Sequence, residues 1–231
     1  MNRPTVKKPV IFITGTDTGV GKTLLTSLLL QHLRRKGCHA LAMKPFCSGS
    51  RGDVRLLHAI QDGELTPDEI NPYFFKEPLA PWVSARKHRR SITLRQVLHQ
   101  IHLVEKRCEQ LIIEGVGGLL VPLGEGYTVA DLITELDCKV VVVVANRLGM
   151  INHALLTLQA LQHIGIRQLT VVVMAVGRPD PSSESNSGIL AELAQGIPVL
   201  KLGFLGPKPN KRDAVKAIEK KVAKTLAQIS G

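Results

Sequence analysis

Six short runs, apolar almost throughout, constrain the fold of this chain more than any other feature. They are VIFIT (10–14), HALAMK (39–44), QLIIE (110–114), KVVVVVA (139–145), QLTVVVMA (168–175) and PVLKLG (198–203). Each has the length of one strand. A strand that is apolar throughout, instead of alternating, is buried on both faces, and such strands belong to parallel sheets. The segments LLTSLLLQHLRRKG (24–37), NHALLTLQALQHIG (152–165) and GILAELAQG (188–196) space their apolar residues as helices do and end at glycine. Strand–helix alternation of this kind predicts an α/β fold, a parallel sheet with helices on both faces. There is no internal repeat and no linker, so residues 1–231 are expected to form a single domain, with 1–8 as a flexible leader.

Between about 48 and 107 the pattern is less regular. TPDE (66–69) predicts a short helix with Thr66 as cap and Pro67 in its first turn. SITLRQVLHQIHLVEKRC predicts a helix from Ser91. Between them NPYFFKEPLAPWVSAR (71–86), with three prolines, reads as a loop lying over something, either surface packing or a wall of the active site.

The chemistry begins at GTDTGVGKT (15–23), which follows the first apolar run and opens a helix. That is the context of a phosphate-binding loop, where backbone N–H groups and the helix dipole face an anion. Five residues separate Gly15 from Gly21 instead of the usual four. Gly19 and Gly21 permit turns that other residues resist. Lys22 is expected to reach the terminal phosphates of a nucleotide, and the Thr23 hydroxyl to ligate Mg²⁺. A magnesium ion needs further oxygen ligands. Glu114, closing QLIIE before GVGG, and Asp53, in SGSRGDVRLL, are the candidates, although Asp53 also suits a helix cap. Lys44, at the end of the second run, adds a second cation near Lys22, which suggests phosphoryl transfer to an anionic acceptor.

The formal net charge of +11 raises the alternative of a nucleic-acid binder. The basic residues gather in ARKHRRSITLR (85–95) and in KPNKRDAVKAIEKKVAKTL (208–226). The second reads as an amphipathic helix with Val215, Ile218, Val222 and Leu226 on its apolar side and solvated lysines opposite. Aromatic residues make up only 3% of the chain, too few for base-stacking platforms. No nucleic-acid partner and no membrane partner are therefore expected. The four scattered cysteines form no Cys-x-x-Cys pair, and His99 and His102 have no evident third ligand. The N-terminus shows no secretion signal, and a cytoplasmic location is expected.

Taken in order, FITGTDTGVGKT (12–23), MKPFCSG (43–49), NPYFFKEPLAP (71–81), LIIEGVGG (111–118), ADL (130–132) and RLGMINHALLTLQAL (147–161) resemble dethiobiotin synthase across most of the chain. That family's loop has the same extra residue. The resemblance implies a three-layer P-loop NTPase-like domain that joins 7,8-diaminononanoate and CO₂ (or bicarbonate) at the expense of ATP, closing a cyclic urea in biotin biosynthesis. By this resemblance Lys44 is catalytic together with Lys22. Thr23, Asp53 and Glu114 hold Mg²⁺. Gly19, Val20, Gly21, Lys22, Thr23, Leu24, Asp53, Glu114, Gly115, Val116 and Gly117 line the nucleotide. Thr18 and Ser48 contact the diamine or its carbamate. Gly149, Met150, Ile151 and Asn152 resemble the segment that crosses a homodimer interface to the substrate carboxylate.

Three positions depart from the family pattern: Gly19, where a carboxylate is often found; Ala80-Pro81-Trp82, where a histidine is; and Ala175 or Val176, in place of an adenine-reading asparagine. Three alternatives share the fold. A partitioning-type switch ATPase would carry an early loop lysine, but Thr16, Asp17 and Thr18 stand there. A non-catalytic nucleotide sensor would lack Lys44, Asp53 or Glu114, and all three are present. A related ligase acting on another carboxylate stays open.

Overall fold

The computed structural model describes residues 10–178, 180–206 and 211–231. The expected flexible leader, 1–8, and Lys208 of the basic tail lie outside the described residues. All six apolar runs become strands of one parallel sheet. In chain order the elements begin β1 (Val10–Gly15), α1 (Lys22–Arg35), β2 (Ala40–Met43), β3 (Phe46–Ser48), α2 (Gly52–Ile60), α3 (Pro67–Ile70), β4 (Tyr73–Phe75), α4 (Pro81–Lys87) and α5 (Leu94–Glu105). They continue with β5 (Gln110–Glu114), β6 (Pro122–Gly124), β7 (Tyr127–Thr128), α6 (Val129–Thr134), β8 (Cys138–Ala145), α7 (Met150–His163), β9 (Leu169–Met174), α8 (Asn186–Leu193), β10 (Val199–Leu202) and α9 (Arg212–Ser230).

The main sheet runs β10-β9-β8-β1-β5-β2, with every pairing parallel. β1 sits in the middle. From it the chain runs to the edge at β2 and returns to place β5 between β2 and β1, then crosses to β8, β9 and β10 on the other side. Loops at the carboxyl ends of β1, β2, β5, β9 and β10 surround a crevice, at the end of the sheet where open sheets of this type take ligands.

The valines of β8 and β9 are wholly buried, each contributing about 1.5–3 kcal/mol of transfer free energy. Helix α1 is apolar over most of its circumference. It lies on β1, β2 and β5, and α9 covers its outer side, so Leu25, Leu28, Leu29 and Leu30 are all fully buried. Val215, Ile218 and Leu226 of α9 face inward as the sequence predicts, Val222 is partly buried, and Ile229 extends the stripe.

Two expectations are corrected. The helix expected from Ser91 begins at Leu94, because Thr93 and Gln96 form a capping box that fixes its start. The segment 71–86 is not wholly loop. Tyr73–Phe75 pairs in parallel with Phe46–Ser48, and Pro81 sits in the first turn of α4. The helix at 67–70 is as predicted, with Thr66 and Glu69 capping each other.

Candidate active site

β1 delivers the chain into the glycine loop, where Gly19 (φ +75°) and Gly21 (φ +105°) adopt left-handed conformations that suit glycine. A side chain on Gly21 would also bring its Cβ within 2.7 Å of Met174 Sδ. The turn at Gly21 leads directly into α1, so the N–H groups of its first turn, without helical partners, face the crevice.

Behind the loop sits a buried ionic cluster. Lys22 Nζ donates to the carbonyls of Asp17 (2.7 Å) and Gly117 (2.8 Å), tying the loop to the segment after β5. Lys44 Nζ lies between two carboxylates, bonded to Asp53 Oδ2 and, at 2.7 Å, to Glu114 Oε1. The Thr23 hydroxyl donates to the same Glu114 oxygen at 2.6 Å. Glu114 Oε2 is buried without a partner among the described residues. Asp53, in the first turn of α2, does not cap its helix but reaches Lys44 instead.

The two lysines respond oppositely to this setting. Burial pulls Lys22 down to about 8, only partly offset by Glu114, with Lys44 adding repulsion. Burial acts against the charge on Lys44 as well, but Glu114 and then Asp53 outweigh it and hold that ammonium above the ordinary lysine range. Burial raises the neighbouring Cys47 thiol, with Lys44 opposing, so it stays protonated. The site thus pairs one firmly charged lysine with one whose charge depends on what binds beside it.

Over the cluster opens a cleft of about 1230 Å³, larger than the few hundred to about 1,000 Å³ that holds one small ligand. Of the sequence-predicted residues, Thr18, Gly19, Gly21–Leu24, Lys44, Ser48, Asp53 and Glu114–Gly117 all line it. Val20 does not; it is buried beneath the loop. Gly149, Met150, Ile151 and Asn152 stand outside this cleft, at the start of α7.

Val121 and three groups lining the cleft were not assigned as site residues from the sequence. Cys47, beside Ser48 in β3, and Ser50 just after that strand are near Ser48 in sequence, which is the signal that would have found them. Pro78–Pro81 form a wall, the sharper of the two readings given to the proline-rich segment. At the far end stand Met174, Gly177 and Arg178 with Phe204–Gly206 from the segment after β10. Nothing in the sequence marked Phe204, which is largely exposed. Ala175 and Val176 line this end too, and no side-chain amide joins them among the described residues.

The donor set suits a hard cation. Thr23, Glu114 with its unpartnered oxygen and Asp53 all offer oxygen atoms and all line the cleft. Among the described residues no three His, Cys, Asp or Glu side chains gather as a metal site, so a cation here would complete its shell from phosphates and water.

Comparison with known proteins identifies the family of the chain. The family model described as "AAA domain" matches residues 9–223. The ATP-dependent dethiobiotin synthetase BioD of Bacillus licheniformis is 37% identical over 209 residues, covering 88% of this chain and 86% of the relative. The enzyme of the same name from Anaeromyxobacter sp. (strain Fw109-5) is 40% identical over 201 residues, covering 84% and 90%. The chain belongs to the dethiobiotin synthetase family. Likeness to solved structures extends to a ParA family ATPase from Chlorobium tepidum TLS (TM-score 0.56, 15% identity, 96% of each chain). It extends also to the MinC:MinD cell division protein complex of Aquifex aeolicus (TM-score 0.58, 12% identity, 94% and 96%). At such identities the likeness concerns the three-layer P-loop fold alone.

Proposed function

We propose that this member of the dethiobiotin synthetase family closes 7,8-diaminononanoate and CO₂ into dethiobiotin with ATP, and that the cluster around Lys44 performs the chemistry. The observation that carries the assignment of residues is the Lys44 ammonium held between Asp53 and Glu114, beside a phosphate loop and in a cleft with room for two substrates. One amine adds to CO₂ and loses a proton, giving a carbamate. A carbamate oxygen attacks the γ-phosphorus and ADP departs. The second amine then attacks the carbamoyl carbon and phosphate leaves, closing the urea ring.

Lys44 meets the carbamate and the transferring phosphoryl group as a fixed positive charge, already oriented before substrate arrives. Lys22 follows the terminal phosphates, its proton retained by their negative charge. Thr23, Asp53 and Glu114 would hold Mg²⁺, which neutralises phosphate charge when bound. Thr18 and Ser48 contact the diamine or its carbamate; the Ser48 hydroxyl is buried without a partner among the described residues. Gly149–Asn152 at the start of α7 serve the substrate carboxylate of a second copy, in a homodimer. Leu148, 82% exposed, and Leu156, 58% exposed, give that region an apolar surface suited to such an interface. No described helix is long and apolar enough to cross a membrane.

Phosphate release with Mg-ATP and bicarbonate, measured with and without 7,8-diaminononanoate, tests the reading. Release that depends on the diamine is expected. Release indifferent to it would point to a switch ATPase.

A further inference from the structure

Lys44 lies just beyond β2, the edge strand of the main sheet, where no outer strand among the described residues holds its backbone. Asn71 stands in for that neighbour. It is wholly buried, and its Nδ2 donates to the carbonyls of Lys44 (2.9 Å) and Pro45 (3.2 Å). The Lys44 N–H donates to the Ile70 carbonyl at 2.9 Å, so both main-chain groups of Lys44 end on the 70–71 segment.

The other side of Asn71 faces Arg51. Arg51 Nε donates to Asn71 Oδ1 (3.3 Å) and Nη2 to the Asn71 carbonyl (3.1 Å). A further bond to Asp68 (2.8 Å) and the Phe74 ring, 4.7 Å from the guanidinium carbon, complete the clamp. Arg51 immediately precedes α2, whose first turn presents Asp53 and which has no side-chain cap of its own. The main chain that carries Lys44 and the helix start that carries Asp53 are thus both anchored on one buried amide.

We propose that Asn71 is a positioning residue, which holds the Lys44 main chain directly and the helix start carrying Asp53 through Arg51, and so fixes the two against each other at the phosphate loop. The inference rests on the assignment of Lys44 and Asp53 to the reaction given above. A misplacement of about 1 Å at a reacting group costs up to about a hundredfold in rate, so a clamp touching no substrate still governs turnover.

The test uses the full chain with Arg51→Met, which removes a partly exposed side chain, and Asn71→Asp, which keeps shape and loses the donor. Arg51→Met is expected to lower kcat about tenfold with the KM for ATP within about twofold, and Asn71→Asp to lower it further. In an Asp53→Asn background, Arg51→Met is expected to have almost no added effect, because the clamp works through that carboxylate. The ¹⁵N resonance of the Lys44 ammonium gives a readout independent of activity: protected from exchange in the native chain, broadened in both variants. An unchanged kcat in Arg51→Met, full additivity with Asp53→Asn, or an unaltered ammonium resonance would each overturn the clamp. Absence of diamine-dependent release by the native chain would instead refute the proposed reaction, with the ammonium resonance still deciding on the clamp.

Discussion

The two ends of α1 each carry a group of polar side chains around a buried carboxylate, and the two groups differ in one respect. At its N-terminus, Lys22, Thr23 and Lys44 surround Glu114, whose Oε2 is buried and unpartnered among the described residues. At its C-terminus, His32 and Arg35 meet Glu219 of α9. There Arg35 Nε bonds Oε2 (2.8 Å), while Arg35 Nη2 (3.0 Å) and His32 Nδ1 (2.6 Å) reach Oε1. Both oxygens of Glu219 are satisfied, and nothing in that group opens on the cleft. A saturated cluster holds two helices together; an unsaturated one beside a cavity has capacity left for a ligand.

That contrast gives predictions in descending size. Lys44→Ala should lower turnover by about a thousandfold with the fold intact, as for loss of a preorganised charge. Steady-state kinetics beside circular dichroism checks it, and near-normal turnover would remove Lys44 from its role. Glu219→Ala should do the reverse. Removing the carboxylate that ties α9 to His32 and Arg35 of α1 should lower stability, with KM for ATP unchanged. Urea unfolding measures this, and a loss of activity in a still-folded protein would contradict it. Removing the whole tail after Gly206 should act in the same direction.

The pH response of Lys22 separates the two ends further. Its lowered value, about 8, means that the ammonium loses its proton above that pH, while bound phosphates favour keeping it. Nucleotide affinity should fall above pH 8 by up to about tenfold per unit, with proton uptake on binding. Calorimetry in buffers of different ionisation enthalpy detects the uptake, and Lys22→Met should abolish it. The sign for stability is opposite. The unfolded lysine keeps its proton to about 10.5, so the folded chain gains stability from this group as pH climbs from about 8 to 10.5. Lys44, raised instead, contributes stability that is fully present below 10.5 and lost above it.

The smallest effect concerns the far end of the cleft. Val176→Asn should raise the preference for ATP over GTP by about fivefold or more, the discrimination a side-chain amide gives against the wrong base. Competition between the two nucleotides measures it; an unchanged ratio would show that the base is read elsewhere.

The division between what was legible in the sequence and what was not follows the range of the interactions. Strands apolar throughout could only be buried on both faces, and Gly-Lys-Thr between strand and helix could only present amides to an anion, so the sheet and the loop were readable locally. Thr66 announced its helix for the same reason. Ser91 misled because Thr93, two residues on, has the glutamine partner that makes the better cap. Glu219 reads as one more charge on the polar side of a lysine-rich helix. Only the docking of α9 on α1 buries it, since His32 and Arg35 lie more than 180 positions away in sequence. Asn71 reads as one residue of the proline-rich loop segment, and its bonds to Lys44 and Arg51 join segments 20 or more positions apart in sequence. By itself, then, the sequence determined the layered fold, the phosphate loop and the charged residues of the site. The tertiary structure decided which carboxylate oxygens were left unsatisfied and which polar side chains became supports, because those depend on contacts between segments that the chain brings together only on folding.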